Sequence, residues 1–194
     1  MNLFERITNQ MLVECEDSNV EWAQTWYNVI PKDAKPPLRT DEERECYDMA
    51  WDIVFDYTKR VSLDCIAYEE CATATYNFKD DQVKVPCIEQ FDCDADFFST
   101  LFHELVHSTG HEKRLKRPGF NPECKHGEYC QEELIAELGA MYLCGICCYN
   151  EGKNFERSSS YIRGYKSQTH STDEDLRIIA RMAQKAVDYI IGED

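Results

Sequence analysis

Two histidines four residues apart with a glutamate directly after the first, His103-Glu104-Leu105-Val106-His107 in the stretch FFSTLFHELVHSTGH, constrain this chain more than any other feature. On a helix, residues i and i+4 share a face about one turn apart, so both rings can reach one metal ion. Phe97, Phe98, Leu101, Phe102, Leu105 and Val106 recur at helical spacing, which predicts a half-buried helix under the motif, and Gly110 offers a stop just past the second histidine. Glu104 is offset around the helix from the line joining the histidines, where it can take a proton from an attacking water rather than bind the metal. The pattern points to a Zn2+ site and to hydrolysis, above all of a peptide bond.

A catalytic zinc takes three protein ligands and keeps one position open, so a third donor must come from elsewhere in the chain. His111 continues the four-residue series, but about two helical pitches separate its ring from that of His103, too far to share one ion. Metzincins place a third histidine six residues past the second; here that position is Lys113. The segment QEELIAELGAMYLCGICCY carries Glu132, Glu133 and Glu137 in an otherwise apolar run, and glutamates facing a core need a reason. Glu133 and Glu137 share a helix face, while Glu132 is expected to rotate away toward solvent. The pair is similar to the thermolysin-like arrangement, which implies Glu133 as the ligand and Glu137 as the carboxylate orienting a ligand histidine through its other nitrogen. The swapped assignment stays open at this point.

Four blocks in order, LFHELVHSTGHEKRL, YCQEELIAELGAMYLC, SSYIRGYKS and RMAQKAVDYIIG, resemble the zincin-like metallopeptidase domain of ArdC-type antirestriction proteins, and ATYNFKDDQVKVPCIEQF resembles the hairpin and cleft strand upstream of it. The resemblance covers about residues 60 to 192. Glu133-x-x-Ala136-x-x-x-Ala140 is also similar to the third-ligand helix of the related ImmA/IrrE peptidases, favouring Glu133. The resemblance implies an α+β zincin-like fold, with a small antiparallel or mixed sheet and the HExxH helix packed against a glutamate-bearing helix. ArdC-type proteins also carry an N-terminal domain that binds single-stranded DNA. Only a fragment resembling its start, Glu21-Trp22 through Trp26, is present in residues 1–40, so that role is not carried over.

The chain of 194 residues therefore reads as an N-terminal extension and linker over 1–40, with Pro31 to Pro37 as the linker, followed by the zincin-like domain over 41–194. A formal net charge of −16 repels a phosphate backbone, which disfavours direct nucleic-acid binding; the basic run Lys113, Arg114, Lys116, Arg117 is the one dense positive patch expected. Neither a membrane span nor a signal peptide is visible, so a cytoplasmic location is expected. There the eleven cysteines are reduced by default. Cys144, Cys147 and Cys148 read as small hydrophobes on or beside the Glu133 helix. Cys124, His126 and Cys130 form a weaker second metal candidate, lacking the usual two-residue spacings.

Thr40 with Glu43 reads as a capping box opening a helix through about Lys59. Strand-prone runs follow at Leu63 to Tyr68 and Ala72 to Phe78, then a turn at Lys79 to Gln82 and a strand from Val83 to Ile88. Ser171 with Glu174 is expected to cap the last helix. In the mechanism, zinc on His103, His107 and Glu133 works with Glu104 as the base, and Val83 to Val85 holds an extended peptide by edge pairing. Tyr161, in the SSYIRGY block, and Tyr129 are candidate donors to the oxyanion. The partner expected is a protein or peptide substrate. Three functions fit: a zinc peptidase serving antirestriction, a non-catalytic acidic binder with structural zinc that imitates DNA, and a repressor-cleaving peptidase of the ImmA/IrrE kind.

Overall fold

The computed structural model describes residues 2–16, 39–68, 73–118, 126–149, 159–160, 162–164 and 172–193, with backbone alone at 14–16 and 126–130. Five long helices and a small sheet are built from them: α1 Leu3–Glu16, α2 Asp41–Val61, β1 Asp64–Tyr68, β2 Thr75–Asn77, β3 Gln82–Pro86, α3 Asp94–Thr109, α4 His126–Ile146 and α5 Asp173–Ile191. The class is α+β, mostly helical.

Local chemistry sets the boundaries. At the start of α2, Thr40 Oγ1 accepts from the Glu43 amide at 3.2 Å while Glu43 Oε2 accepts from the Thr40 amide at 2.6 Å, the reciprocal capping box expected there. The helix runs to Val61, two residues past Lys59, and ends on Ser62 in the left-handed region at φ 53°. For α5 the box lies one residue later than expected, on Thr172 and Asp175, because Thr172 Oγ1 meets the Asp175 amide. Ser171 lies outside the described residues.

The sheet is mixed, in the order β1-β3-β2, with β1 parallel and β2 antiparallel to β3. The β2–β3 turn is fixed by Asn77 Oδ1, which accepts from the amides of Lys79 at 3.0 Å and Asp80 at 3.1 Å. This order corrects one expectation. Val83 and Lys84 lie in the central strand with both sides paired, so they offer no edge to a peptide, while Val85 pairs with Ala67 of β1 alone.

The core lies between the sheet and the stacked helices. Leu101, Phe102, Leu105 and Val106 of α3 and Leu138 and Leu143 of α4 are fully buried. Removing each such side chain from water contributes about 1.5–3 kcal/mol. Tyr47 and Trp51 of α2 pack edge-on to Phe98, and Tyr57 of α2 meets Ser108 Oγ at 2.8 Å. The helix α1 buries Ile7, Met11 and Leu12 in the same core and joins α4 through Thr8 Oγ1 and the Tyr142 hydroxyl, 2.6 Å apart. Glu21 to Trp26 and Pro31 to Pro37 lie outside the described residues. Among the described residues no helix is long and apolar enough to cross a membrane.

Candidate metal centre

The i, i+4 spacing on α3 brings the two imidazoles together, their Nε2 atoms 3.0 Å apart and their rings crossed at 80°. From α4, Glu133 closes the third side, with Oε1 3.4 Å from His107 Nε2 and Oε2 3.6 Å from His103 Nε2. One donor atom from each residue can be chosen so that all lie within 4.8 Å of one another. Nitrogen and oxygen donors bound tetrahedrally at about 2.0–2.2 Å stand about 3.3–3.6 Å from each other, so the spacing suits one small divalent ion. The donor set is of zinc-binding type.

The other nitrogen of each ring meets a carboxylate. Glu137 Oε2, one turn along α4 from Glu133, lies 3.2 Å from His103 Nδ1. Burial alone would lower the pKa of His103, but its hydrogen bonds to Glu133 and Glu137 and the nearby Glu104 charge raise it well above the ordinary histidine value. Cation-loving chemistry therefore surrounds this ring. Glu104 itself is buried on α3, 9% exposed.

His107 Nδ1 faces a residue the sequence reading placed elsewhere: Glu132 Oε1 lies 3.3 Å away. Glu132 does not turn to solvent, since it is 2% exposed, because α4 is enclosed by protein on that side as well. Arg117 holds it, donating from Nε to Oε2 at 2.7 Å and from Nη2 to Oε1 at 2.6 Å. Burial would raise the Glu132 pKa, but Arg117 and His107 together hold it below the ordinary carboxylate range. An unpartnered glutamate in an apolar run was the available signal.

The basic run Lys113, Arg114, Lys116, Arg117 is accordingly not a surface patch. Arg117 is buried, and Arg114 is engaged by both oxygens of Asp81, the Tyr76 hydroxyl and the Ser108 carbonyl. Only Lys113 and Lys116 face solvent. His111 lies just past α3, buried beside Phe78 with ring centroids 4.6 Å apart, and its Nδ1 accepts from the Lys113 amide at 3.1 Å. It stands apart from the donor cluster. Cys144 and Cys147 are buried, whereas Cys148 is exposed. Tyr161 and the side chains of Tyr129, Cys124, His126 and Cys130 lie outside the described residues.

A family profile described as zincin-like metallopeptidase matches residues 61–185. The fold is similar to the Mn(II)-bound crystal structure of the antirestriction protein ArdC from plasmid R388, at TM-score 0.58 and 28% identity over 83% of this chain and 56% of that one. The metal-free ArdC structure matches at TM-score 0.51 and 26% identity over 83% of this chain and 54% of that one. Among curated proteins, a DNA primase TraC of Escherichia coli is 32% identical over 188 residues, which is 94% of this chain and 16% of that protein. A second Escherichia coli TraC is 29% identical over 175 residues, covering 87% of this chain and 11% of that protein. The chain thus spans a minor part of the curated relatives it matches.

Proposed function

Because the chain belongs to the zincin-like metallopeptidase family, we propose that it is a zinc-dependent peptide hydrolase whose activity serves antirestriction. The observation that carries this reading is the convergence of His103, His107 and Glu133, with each imidazole's far nitrogen against its own carboxylate. The likeness to ArdC, whose crystal structures include a Mn(II)-bound form, supports a divalent ion. Two nitrogen donors and one carboxylate favour zinc.

A bound divalent ion supplies Lewis acidity, polarising the scissile carbonyl and making a water easier to deprotonate. His103, His107 and Glu133 would hold it. Glu104, beside His103 on α3 and withdrawn from solvent, takes the proton of the attacking water and passes it to the leaving amine. Glu137 and Glu132 keep the two rings aimed by holding their Nδ1 hydrogens. Tyr161 is proposed to donate to the developing oxyanion. The substrate is a protein or peptide.

The test compares wild type with Glu104→Gln for metal content, for cleavage of a denatured protein and for protection of incoming DNA in cells. The variant is expected to keep zinc at wild-type stoichiometry and to lose about 10²–10⁴-fold in cleavage and protection together. Full protection by a zinc-loaded, inactive variant would turn the reading to a non-catalytic acidic binder. A protein that takes up neither zinc nor manganese would sink the metal centre.

A further inference from the structure

Behind the donor cluster, the segment after α3 folds back on the helix it has just left. The Leu115 amide returns to the Thr109 carbonyl and the Arg117 amide to the Gly110 carbonyl, each at 2.9 Å, and Lys116 takes the left-handed conformation at φ 53° to make the reversal. Its result is to bury a guanidinium between α3 and α4. Arg117 Nη1 donates to Thr109 Oγ1 at 2.6 Å, and Nη2 donates both to the Val106 carbonyl at 2.7 Å and to Glu132 Oε1 at 2.6 Å. The Gly110 amide bonds the His107 carbonyl at 2.9 Å rather than that of Val106, so the Val106 carbonyl, in the last turn of the helix, accepts from Arg117 Nη2 and, at 2.6 Å, from the Thr109 hydroxyl.

We propose that Arg117 and Glu132 form a clamp that fixes the tautomer and aim of His107, and thereby set metal affinity although neither supplies a ligand atom. The proposal rests on the metal-centre reading above. Its geometry is specific: Oε1, the oxygen 3.3 Å from His107 Nδ1, also receives Arg117 Nη2, while Oε2 receives Nε. With its charge balanced by Arg117, the buried carboxylate stays ionised and can only accept, so the Nδ1 that faces it carries the hydrogen. A neutral imidazole protonated at Nδ1 presents a bare Nε2 to an ion. The same assignment satisfies the ring pair, since two Nε2 atoms 3.0 Å apart cannot both carry hydrogens.

A buried pair of this kind could merely join two helices, and the experiment separates the two roles. Replacing both members with neutral side chains of similar bulk removes the charges without stranding one of them, which is the change buried pairs tolerate best. Arg117→Met with Glu132→Leu leaves Nδ1 without an acceptor; Arg117→Met with Glu132→Gln keeps an amide oxygen there. Affinity for Zn2+ is measured by competition with a chelating dye, alongside the melting temperature of the metal-free proteins. The leucine pair is expected to bind about 10–100-fold more weakly than wild type, and the glutamine pair to recover most of the loss. Equal affinity in two folded variants overturns the clamp.

A measurement on the metal-free wild type needs no variant. Long-range proton–nitrogen NMR of the imidazoles is expected to show the His107 hydrogen on Nδ1, and a hydrogen on Nε2 with bare Nδ1 overturns the proposal. If wild type binds no zinc, the metal reading falls by itself, while the tautomer still decides the clamp.

Discussion

Gly139 of α4 lies so close to Val106 of α3 that a Cβ at position 139 would stand 2.7 Å from Val106 Cγ2 and 3.0 Å from Cγ1. Valine in a helix is held to one rotamer, so Val106 cannot swing aside. The absent side chain therefore sets the separation of the two helices that carry the metal donors. Gly139→Ala should destabilise the protein by about 1–3 kcal/mol, as overpacking in a core does, despite alanine's better helix propensity. It should also weaken zinc binding, because His107 follows Val106 and Glu137 precedes the glycine by two residues. Denaturant unfolding and zinc titration read the two effects. Adding Val106→Ala should recover both, and a stable Gly139→Ala protein with wild-type affinity would show that the close approach governs neither.

Glu133 and Glu137 share a face of α4 but should fail differently. Zinc at 100 times its dissociation constant stabilises a folded site by about 2.7 kcal/mol, which at roughly 2–4 °C per kcal/mol is readily seen in a melting curve. Glu133→Ala removes a donor and should abolish the shift. Glu137→Ala leaves all three donors and should reduce affinity about 10–100-fold, so that a shift returns at higher zinc. The opposite ranking would exchange the two assignments.

What could be read from the sequence was what helical periodicity encodes. His103 and His107, and separately Glu133 and Glu137, are four apart, and the i, i+4 rule alone puts each pair on one face. Glu132 was misplaced because the inference needed a wet side of α4. Leu134, Ile135, Leu138 and Met141 are buried around it together with Glu132 itself, so no polar stripe exists to sort inward from outward. Arg114 and Arg117 escaped for a related reason. A run of basic residues normally faces water, and only the chain reversal at Lys116 carries Arg117 inward. The central place of β3 was not legible: each strand could be read from its own alternation, but that β3 separates β1 from β2 is a tertiary fact with no local signature.

The buried thiols at the end of the glutamate helix, Cys144 and Cys147, should be inert. Burial pushes Cys147 up to about 12 and raises Cys144 further, so almost no thiolate forms near neutral pH. Cys148, the next residue, is exposed. Brief alkylation at pH 8 with site-resolved mass spectrometry should label Cys148 well before Cys144 or Cys147, with the buried pair reacting only after denaturation. Labelling of Cys144 in the native protein at the rate of Cys148 would mean that α4 opens locally, against its place in the core.

Acid should loosen the turn between β2 and β3 from the end of α3. Burial would raise the pKa of Asp81, but hydrogen bonds from Arg114 and from the Tyr76 hydroxyl, the latter at 2.8 Å, hold it below the ordinary carboxylate value. A group whose folded pKa is depressed contributes stability that is complete above its unfolded pKa, about 3.9 for aspartate, and is lost as pH falls through the folded value. Asp81→Asn should therefore lower the urea midpoint at pH 7, and the gap to wild type should narrow below about pH 4 as the native carboxylate takes up its proton. The loss at neutral pH has a second source. Arg114, whose side chain is 2% exposed, is left without a compensating charge, an expensive arrangement for a buried cation. Arg114→Met added to Asp81→Asn should remove that penalty, so the double variant should be more stable at pH 7 than Asp81→Asn alone. A gap that stays constant from pH 7 to pH 3 would mean that Asp81 contributes only packing and neutral hydrogen bonds to the turn.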